Sequence, residues 1–388
     1  MMNRTILAFL TCVSLAVSSG VHAASFKLGD VDMTLGGSAR LDVGWQSSDY
    51  GDVAQGKPDS MTDFFLRNPG NSRVKIKAAY EGITGYAEIG LKTDNSVGVR
   101  HVYASYDLGE GRGILFGQTD TVFSELRPDQ RLNDDLNLQG FGYLYNNRRP
   151  QVRYTVASGA VAFKVAIEEP RGVADEYVSV SGDHLKEKAM PAVAAAFEYK
   201  DGGISVSPSA FYQQFRNKAN DDNPDTKDIT VATYGLCLSG SVKADPATFT
   251  GGLWYGQNLS VFDLDKRKNS PSTVFGKPVA DEAGNDIEDI DSLGGWAQVS
   301  LKAGPGVFRA GAGMQRSETG WKGDAYEDDI STMGAFVNYE YTVAKGFTVT
   351  PEIAYFDYGK DANKNKVSEG KSDLGSDTLV GVHLQYDF

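Results

Sequence analysis

The sequence predicts an all-β chain, a transmembrane antiparallel β-barrel of 16 strands with short periplasmic turns and long extracellular loops. Three observations predict it. Apolar and polar residues alternate with period two through sixteen segments, the pattern of strands with one apolar face. The links between these segments are, by turns, tight and rich in Gly, Pro and Asp, then mostly long and polar, as an outer-membrane barrel requires. Beyond residue 23 no apolar run approaches the roughly 18 residues of a membrane helix. The mean hydropathy of −0.33 fits strands that offer only every second residue to lipid.

The amino terminus reads as an address. Residues 1–23 hold a basic start at Arg4, an apolar stretch over 6–17 and a small-residue end at Val21-His22-Ala23. This is the layout of a secretory signal with cleavage after Ala23, and its apolar stretch is too short to span a bilayer. The expected organisation is therefore a signal peptide over 1–23 and a single barrel domain over 24–388. Composition narrows the classes further. A formal net charge of −13 argues against a nucleic-acid partner. With 41% hydrophobic and 11% aromatic residues the chain is not disordered. Cys12 falls in the signal, which leaves Cys237 and no disulfide or thiolate-metal framework.

The strands follow in order. Segment 33–47 places Leu35, Ala39, Leu41, Val43 and Trp45 on one face, with Ser38, Arg40, Asp42 and Gln46 on the other. Segment 71–81 opposes Val74, Ile76, Ala78 and Tyr80 to Arg73, Lys75 and Lys77. Segments 85–93, 98–108 and 113–120 come next. Segment 148–157 sets Val152, Tyr154 and Val156 against Arg153 and Thr155, and 160–168 sets Val161, Phe163, Val165 and Ile167 against Lys164 and Glu168. Then come 190–200, 203–216, 228–242, 246–258, 292–302, 306–316, 329–342, 346–358 and 377–388. The long connections are 48–70, 121–147, 169–189, 217–227, 259–291, 317–328 and 359–376, and 94–97 is a short member of the same set. In lipid every backbone N–H and C=O must pair, so the sheet has to close on itself. The soluble alternatives are a sandwich, which is unusual at this length, and a solenoid, for which the chain shows no internal period.

With that pattern in place, the whole mature chain resembles the Gram-negative porins, the trimeric 16-stranded outer-membrane channels. Its ending, Leu384-Gln385-Tyr386-Asp387-Phe388, is similar to the terminal strand read by the outer-membrane assembly machinery, which makes Leu384, Tyr386 and Phe388 the assembly signal. The resemblance implies a homotrimer in contact with outer-membrane lipid and lipopolysaccharide. It implies passive diffusion of small hydrophilic solutes and ions, with no catalytic residue, no cofactor, no metal and no nucleic acid.

In that family the third long loop folds into the barrel and faces basic wall residues. Here that loop is 121–147, with Glu125, Arg127, Asp129, Arg131, Asp134 and Asp135 as constriction candidates. Strand parity sends Arg40, Arg73, Lys75, Lys77, Arg153, Lys164 and Arg309 inward. A basic wall opposite loop carboxylates would set up a transverse field and attract anions; the plainer reading is a set of solvated lumen residues without selective effect. Arg148 and Arg149 either pair with the loop acids or line the pore. The acidic excess over 259–291, 317–328 and Asp221, Asp222 and Asp225 reads as a solvated rim, with divalent-cation bridging to lipopolysaccharide as the alternative. His101, His184 and His383 have no zinc-site spacing. Three functional readings stay open: a general diffusion porin with an anion preference, a porin selective for anionic metabolites, and a plugged barrel that works through its surface loops.

Overall fold

The computed structural model describes residues 23–388 except 53–57, 92–95, 146, 172–183, 189, 220–227, 268–273, 281–285 and 366–371. The expected signal peptide, apart from Ala23, lies outside the described residues, as do the acidic positions Asp221, Asp222, Asp225, Asp281 and Glu282.

The chain forms a closed antiparallel barrel of 16 strands. They are β1 (Val31–Asp49), β2 (Ser60–Arg67 and Arg73–Tyr80), β3 (Ile83–Leu91), β4 (Val97–Gly109), β5 (Arg112–Asp120), β6 (Arg148–Ser158), β7 (Val161–Glu168) and β8 (His184–Glu187 and Ala192–Asp201). The second half holds β9 (Ile204–Ala219), β10 (Ile229–Ala244), β11 (Ala247–Gln257), β12 (Asp291–Ala303), β13 (Gly306–Glu318), β14 (Asp329–Ala344), β15 (Phe347–Asp357) and β16 (Ser376–Asp387). Each strand pairs with its sequence neighbours. Closure comes from β1, which pairs with β2 on one side and with β16 on the other, in register from Ser38↔Asp387 to Asp49↔Ser376.

Three details differ from the sequence reading, the smallest being that β8 already begins at His184, within the expected connection 169–189. Strand β2 begins at Ser60 and not near residue 71: Ser60–Arg67 pairs with Asp49–Asp42 of β1, a break follows, and Arg73 onward pairs with Ser38 downward. The alternation is masked there because the inward Phe65 is apolar, like its outward neighbours Phe64 and Leu66. Residues 24–28 precede the first expected segment yet form a strand. They pair with Leu35–Val31 of β1 and so continue the line of β16 past Phe388.

The strand faces separate as the alternation requires. Leu236, Leu238, Leu253, Ile353 and Val380 stand exposed on the outer face, while Gln213, Thr233, Asn338 and Glu352 are buried within. A lumen of this width is not closed by wall side chains. It is filled in part by loops, and the two buried apolar clusters sit where loop residues such as Phe123, Leu138, Phe141 and Phe262 pack on wall residues such as Phe211, Trp254, Trp296, Phe336 and Phe356.

Candidate functional site

The loop 121–147 runs inside the barrel as a flattened hairpin against the wall. On its outward course Phe123 lies 5.8 Å from the Phe211 ring and 5.1 Å from Phe262. The Ser124 N–H donates to Ser209 Oγ at 3.3 Å. Further along, Asp129 meets β12–β14: its N–H donates to Gln298 Oε1 at 2.7 Å, Gln298 Nε2 donates to its carboxylate at 2.9 Å, and Asn338 Nδ2 donates to its carbonyl at 2.9 Å. The next residues reach β15, and the tip then turns back at β1 and β2. There Asn133, Asp134 and Asp135 all adopt positive φ, 63°, 66° and 51°. Such a run is disfavoured for L-residues, least so for Asn and Asp, and persists only where its surroundings hold it.

The break in β2 supplies part of that hold. Asn71 Nδ2 donates to the Asp134 carbonyl at 3.0 Å and to the Asp135 carboxylate at 3.2 Å, Arg67 donates to Asn133 Oδ1 at 3.1 Å, and Arg40 pairs with Asp135. On the return course Thr332 Oγ1 donates to the Gly140 carbonyl at 2.7 Å and Trp254 Nε1 to the Gly142 carbonyl at 2.8 Å. Gly142 has φ +110°, and a Cβ there would fall 2.3 Å from the Gly295 carbonyl oxygen. Only glycine lets the loop lie this close to the sheet.

A second loop joins it. Residues 259–291 were expected to be a solvated acidic rim, but Leu259–Phe262 forms a 3-10 turn whose apolar residues are buried against 121–147. Asn147 Nδ2 donates to the Val261 carbonyl at 2.8 Å, and Gln315 Nε2 to the Leu264 carbonyl at 2.7 Å. Asp265 pairs with Arg267 at 2.7 Å. Among the described acids of that loop, Asp263, Asp286, Glu288 and Asp289 still face solvent.

One opening between the loop and the wall lies on the side of β2–β6. It has a volume of about 490 Å³ and is lined by Arg100, Arg127, Arg148 and Lys266, with Asp120, Asp134 and Asp135 among the acids. Asp135 already pairs with Arg40. Burial, and then the adjacent Asp135 carboxylate, raise the Asp134 carboxyl above the ordinary range, against the pull of the Gly70 and Asn71 N–H groups.

The predicted residues fall into three groups. Lys164, Arg309 and Arg40 are inward but engaged with the loop: Lys164 with Glu125 at 3.0 Å, Arg309 with Asp129 at 3.4 Å, Arg40 with Asp135. Arg131 likewise meets Glu340 at 3.2 Å. Burial, followed by the nearby Glu198, raises the Glu125 carboxyl. Arg73 and Arg153 face the lumen, Arg73 on Glu88 at 3.1 Å and Arg153 on Gln151 Oε1 at 3.0 Å. Lys75 and Lys77 keep Arg73's parity further towards the turn end, and no ion pair forms at either among the described residues. The loop carboxylates Glu125, Asp129 and Asp135 thus anchor the loop, and do not stand opposite a free basic wall. Arg127 is exposed at the opening. Arg149 does not line it. It is fully buried over the Phe211 and Phe262 rings at 4.8 and 5.2 Å, and 3.8 Å from Glu168.

Arg100 was missed by parity, which assigns it to the face of Val102 and Tyr106. The pairing slips between Glu88↔His101 and Ile89↔Val99, so Arg100 is the extra residue of a bulge and turns inward onto Glu88 at 2.7 Å. The signal was present: Val97 and Val99 are two apart, but Val99 and Val102 are three apart. Lys266 sits in a loop where no periodicity exists to read. His101 meets Thr119 Oγ1 at 3.0 Å and His383 meets Asp42 at 2.7 Å, on separate parts of the wall. At the carboxyl end Tyr386 and Phe388 present stacked rings 6.2 Å apart, Leu384 pairs with Leu41, and the Gly37 N–H donates to the Phe388 carbonyl at 2.7 Å.

Neither a protein-family model nor a curated protein sequence matches the chain. Solved structures do. The outer membrane channel DcaP of Acinetobacter baumannii superposes with a TM-score of 0.68 at 20% identity, over 94% of this chain and 100% of that one. OmpT, an outer-membrane protein of Vibrio cholerae, gives 0.57 at 14% identity over 94% and 100%. An anion-selective porin from Comamonas acidovorans gives 0.57 at 13% over 92% and 100%.

Proposed function

We propose that this chain, whose fold is that of the 16-stranded outer-membrane porins, forms a water-filled channel in a Gram-negative outer membrane. Small hydrophilic solutes and ions diffuse through it passively, anions more readily than cations. The observation that carries the anion preference is the lining of the opening. Arg100, Arg127, Arg148 and Lys266 line it against Asp120, Asp134 and Asp135; Lys266 is matched by Asp263 and Asp135 by Arg40, which leaves three basic groups against two acids. A net positive lining in a narrow aqueous passage concentrates anions and excludes cations. The solved porin from Comamonas acidovorans, described as anion-selective, supports the reading as an analogy of fold. No covalent step belongs to it.

The same reading takes residues 1–23 as the export signal, Leu384, Tyr386 and Phe388 as the assembly signal, and a homotrimer surrounded by lipid and lipopolysaccharide as the working state. A second reading, a channel selective for anionic metabolites, is favoured by Arg127. It stands exposed at the opening with no ion pair among the described residues, free to meet a solute. Ion currents separate the two. A general channel conducts in proportion to salt; a selective one is blocked saturably by one class of anion. A channel that prefers cations would overturn both.

A further inference from the structure

The wall behind the loop carries a buried group with no part in lining the opening. Glu352 on β15 is 2% exposed, and no cation pairs with it among the described residues. Its carboxylate accepts four hydrogen bonds instead. Oε2 takes the Arg131 N–H at 2.7 Å and Asn338 Nδ2 at 2.9 Å; Oε1 takes the Leu132 N–H at 2.8 Å and Gln130 Nε2 at 2.8 Å. Three of those four donors belong to the loop 121–147, and two are successive backbone N–H groups converging on one anion, the geometry of a backbone anion nest.

A buried carboxylate without a counter-charge is tolerated only when its lone pairs are filled. Here they are filled only while the loop is seated. The held segment directly precedes the left-handed run Asn133–Asp135, which does not form on its own preferences. We propose that Glu352 is the latch of the loop: a positioning residue that fixes Gln130–Leu132 against β15, delivers the tip to the break in β2, and so sets the size and steadiness of the opening. As a statement about current it rests on the channel reading; as a statement about the loop it does not.

The test uses the full-length folded barrel with Glu352→Ala and Glu352→Gln, reading hydrogen exchange at the Arg131 and Leu132 amides together with single-channel current. Loss of charge-assisted hydrogen bonds at both amides predicts exchange faster by roughly a hundredfold in the alanine protein, with strand amides unchanged. The glutamine protein, which keeps one carbonyl acceptor, falls between. Current becomes larger and noisier in the same order. Unchanged exchange at the two amides in a folded alanine barrel overturns the latch. If the alanine protein does not assemble, the isosteric glutamine protein decides in the same way, faster exchange supporting the latch and unchanged exchange overturning it. Protected amides in a wild-type barrel that passes no current would refute the channel and uphold the latch.

Discussion

Replacing Arg100 with alanine removes a charge that only a β-bulge places in the lumen. Glu88 stands between Arg73 at 3.1 Å and Arg100 at 2.7 Å, so the three-residue group carries one net positive charge, and the variant carries none. For an ion passing roughly 6 Å away in a water-like dielectric, one unit charge is worth about 0.7 kcal/mol. The sign is opposite for anion and cation, so their ratio changes by about 1.4 kcal/mol, roughly tenfold without screening. With a Debye length of about 10 Å at 0.1 M salt, roughly a three- to fourfold fall in anion preference remains. The assay is the reversal potential across a KCl gradient in planar bilayers at two ionic strengths, with the effect shrinking as salt rises. Arg112→Ala serves as control. That residue lies on the turn end, paired with Glu110, and loses the same charge away from the opening. An unchanged reversal potential in folded Arg100→Ala, or an equal shift in the control, would refute the assignment of the opening to the β2–β6 side.

Gly142→Ala places a Cβ 2.3 Å from the Gly295 carbonyl oxygen and 2.5 Å from the Met314 nitrogen, both sheet backbone. The loop must lift and break its bond to Trp254, at a cost of about 1–3 kcal/mol. The expected result is a larger conductance in a barrel of unchanged heat resistance, and wild-type conductance would contradict it. The raised Asp134 carboxyl takes up its proton at a higher pH than an ordinary aspartate does. The opening therefore loses a negative charge as pH falls, and anion preference rises towards acid. In Asp134→Asn this part of the pH dependence should vanish, and its persistence would assign it to another group.

Much of the barrel was legible because lipid enforces a rule that sequence can carry. Outward positions such as Val152, Tyr154 and Val156 must be apolar, while the inward Gln151 and Arg153 need not be, and period two follows. Legibility failed where the lumen stops being watery. Phe65 faces inward yet is apolar, because the loop tip packs over that stretch of wall, so half of β2 looked like loop. It failed again at Arg100, where one inserted residue reverses parity. The candidate site was legible in its parts but not in its pairing. Glu125, Asp129 and Asp135 all lie inside the barrel, and their partners Lys164, Arg309 and Arg40 are on the predicted wall. That these charges meet each other, and leave the opening to Arg100, Arg127 and Arg148 against Asp120 and Asp134, depends on the path of the loop. That path is set by Glu352, Gln298, Asn338 and the β2 break, which are contacts between segments far apart in sequence. The inward course of 259–267 is of the same kind: its acids suggested a rim, while Leu259, Phe262 and Leu264 seat it in the lumen.

The most direct test of the whole account is the current through the purified protein in a planar bilayer across a KCl gradient. Discrete channel openings with a reversal potential on the anion side are the expected result. A folded barrel that passes no current, or one whose reversal potential lies on the cation side, would contradict it.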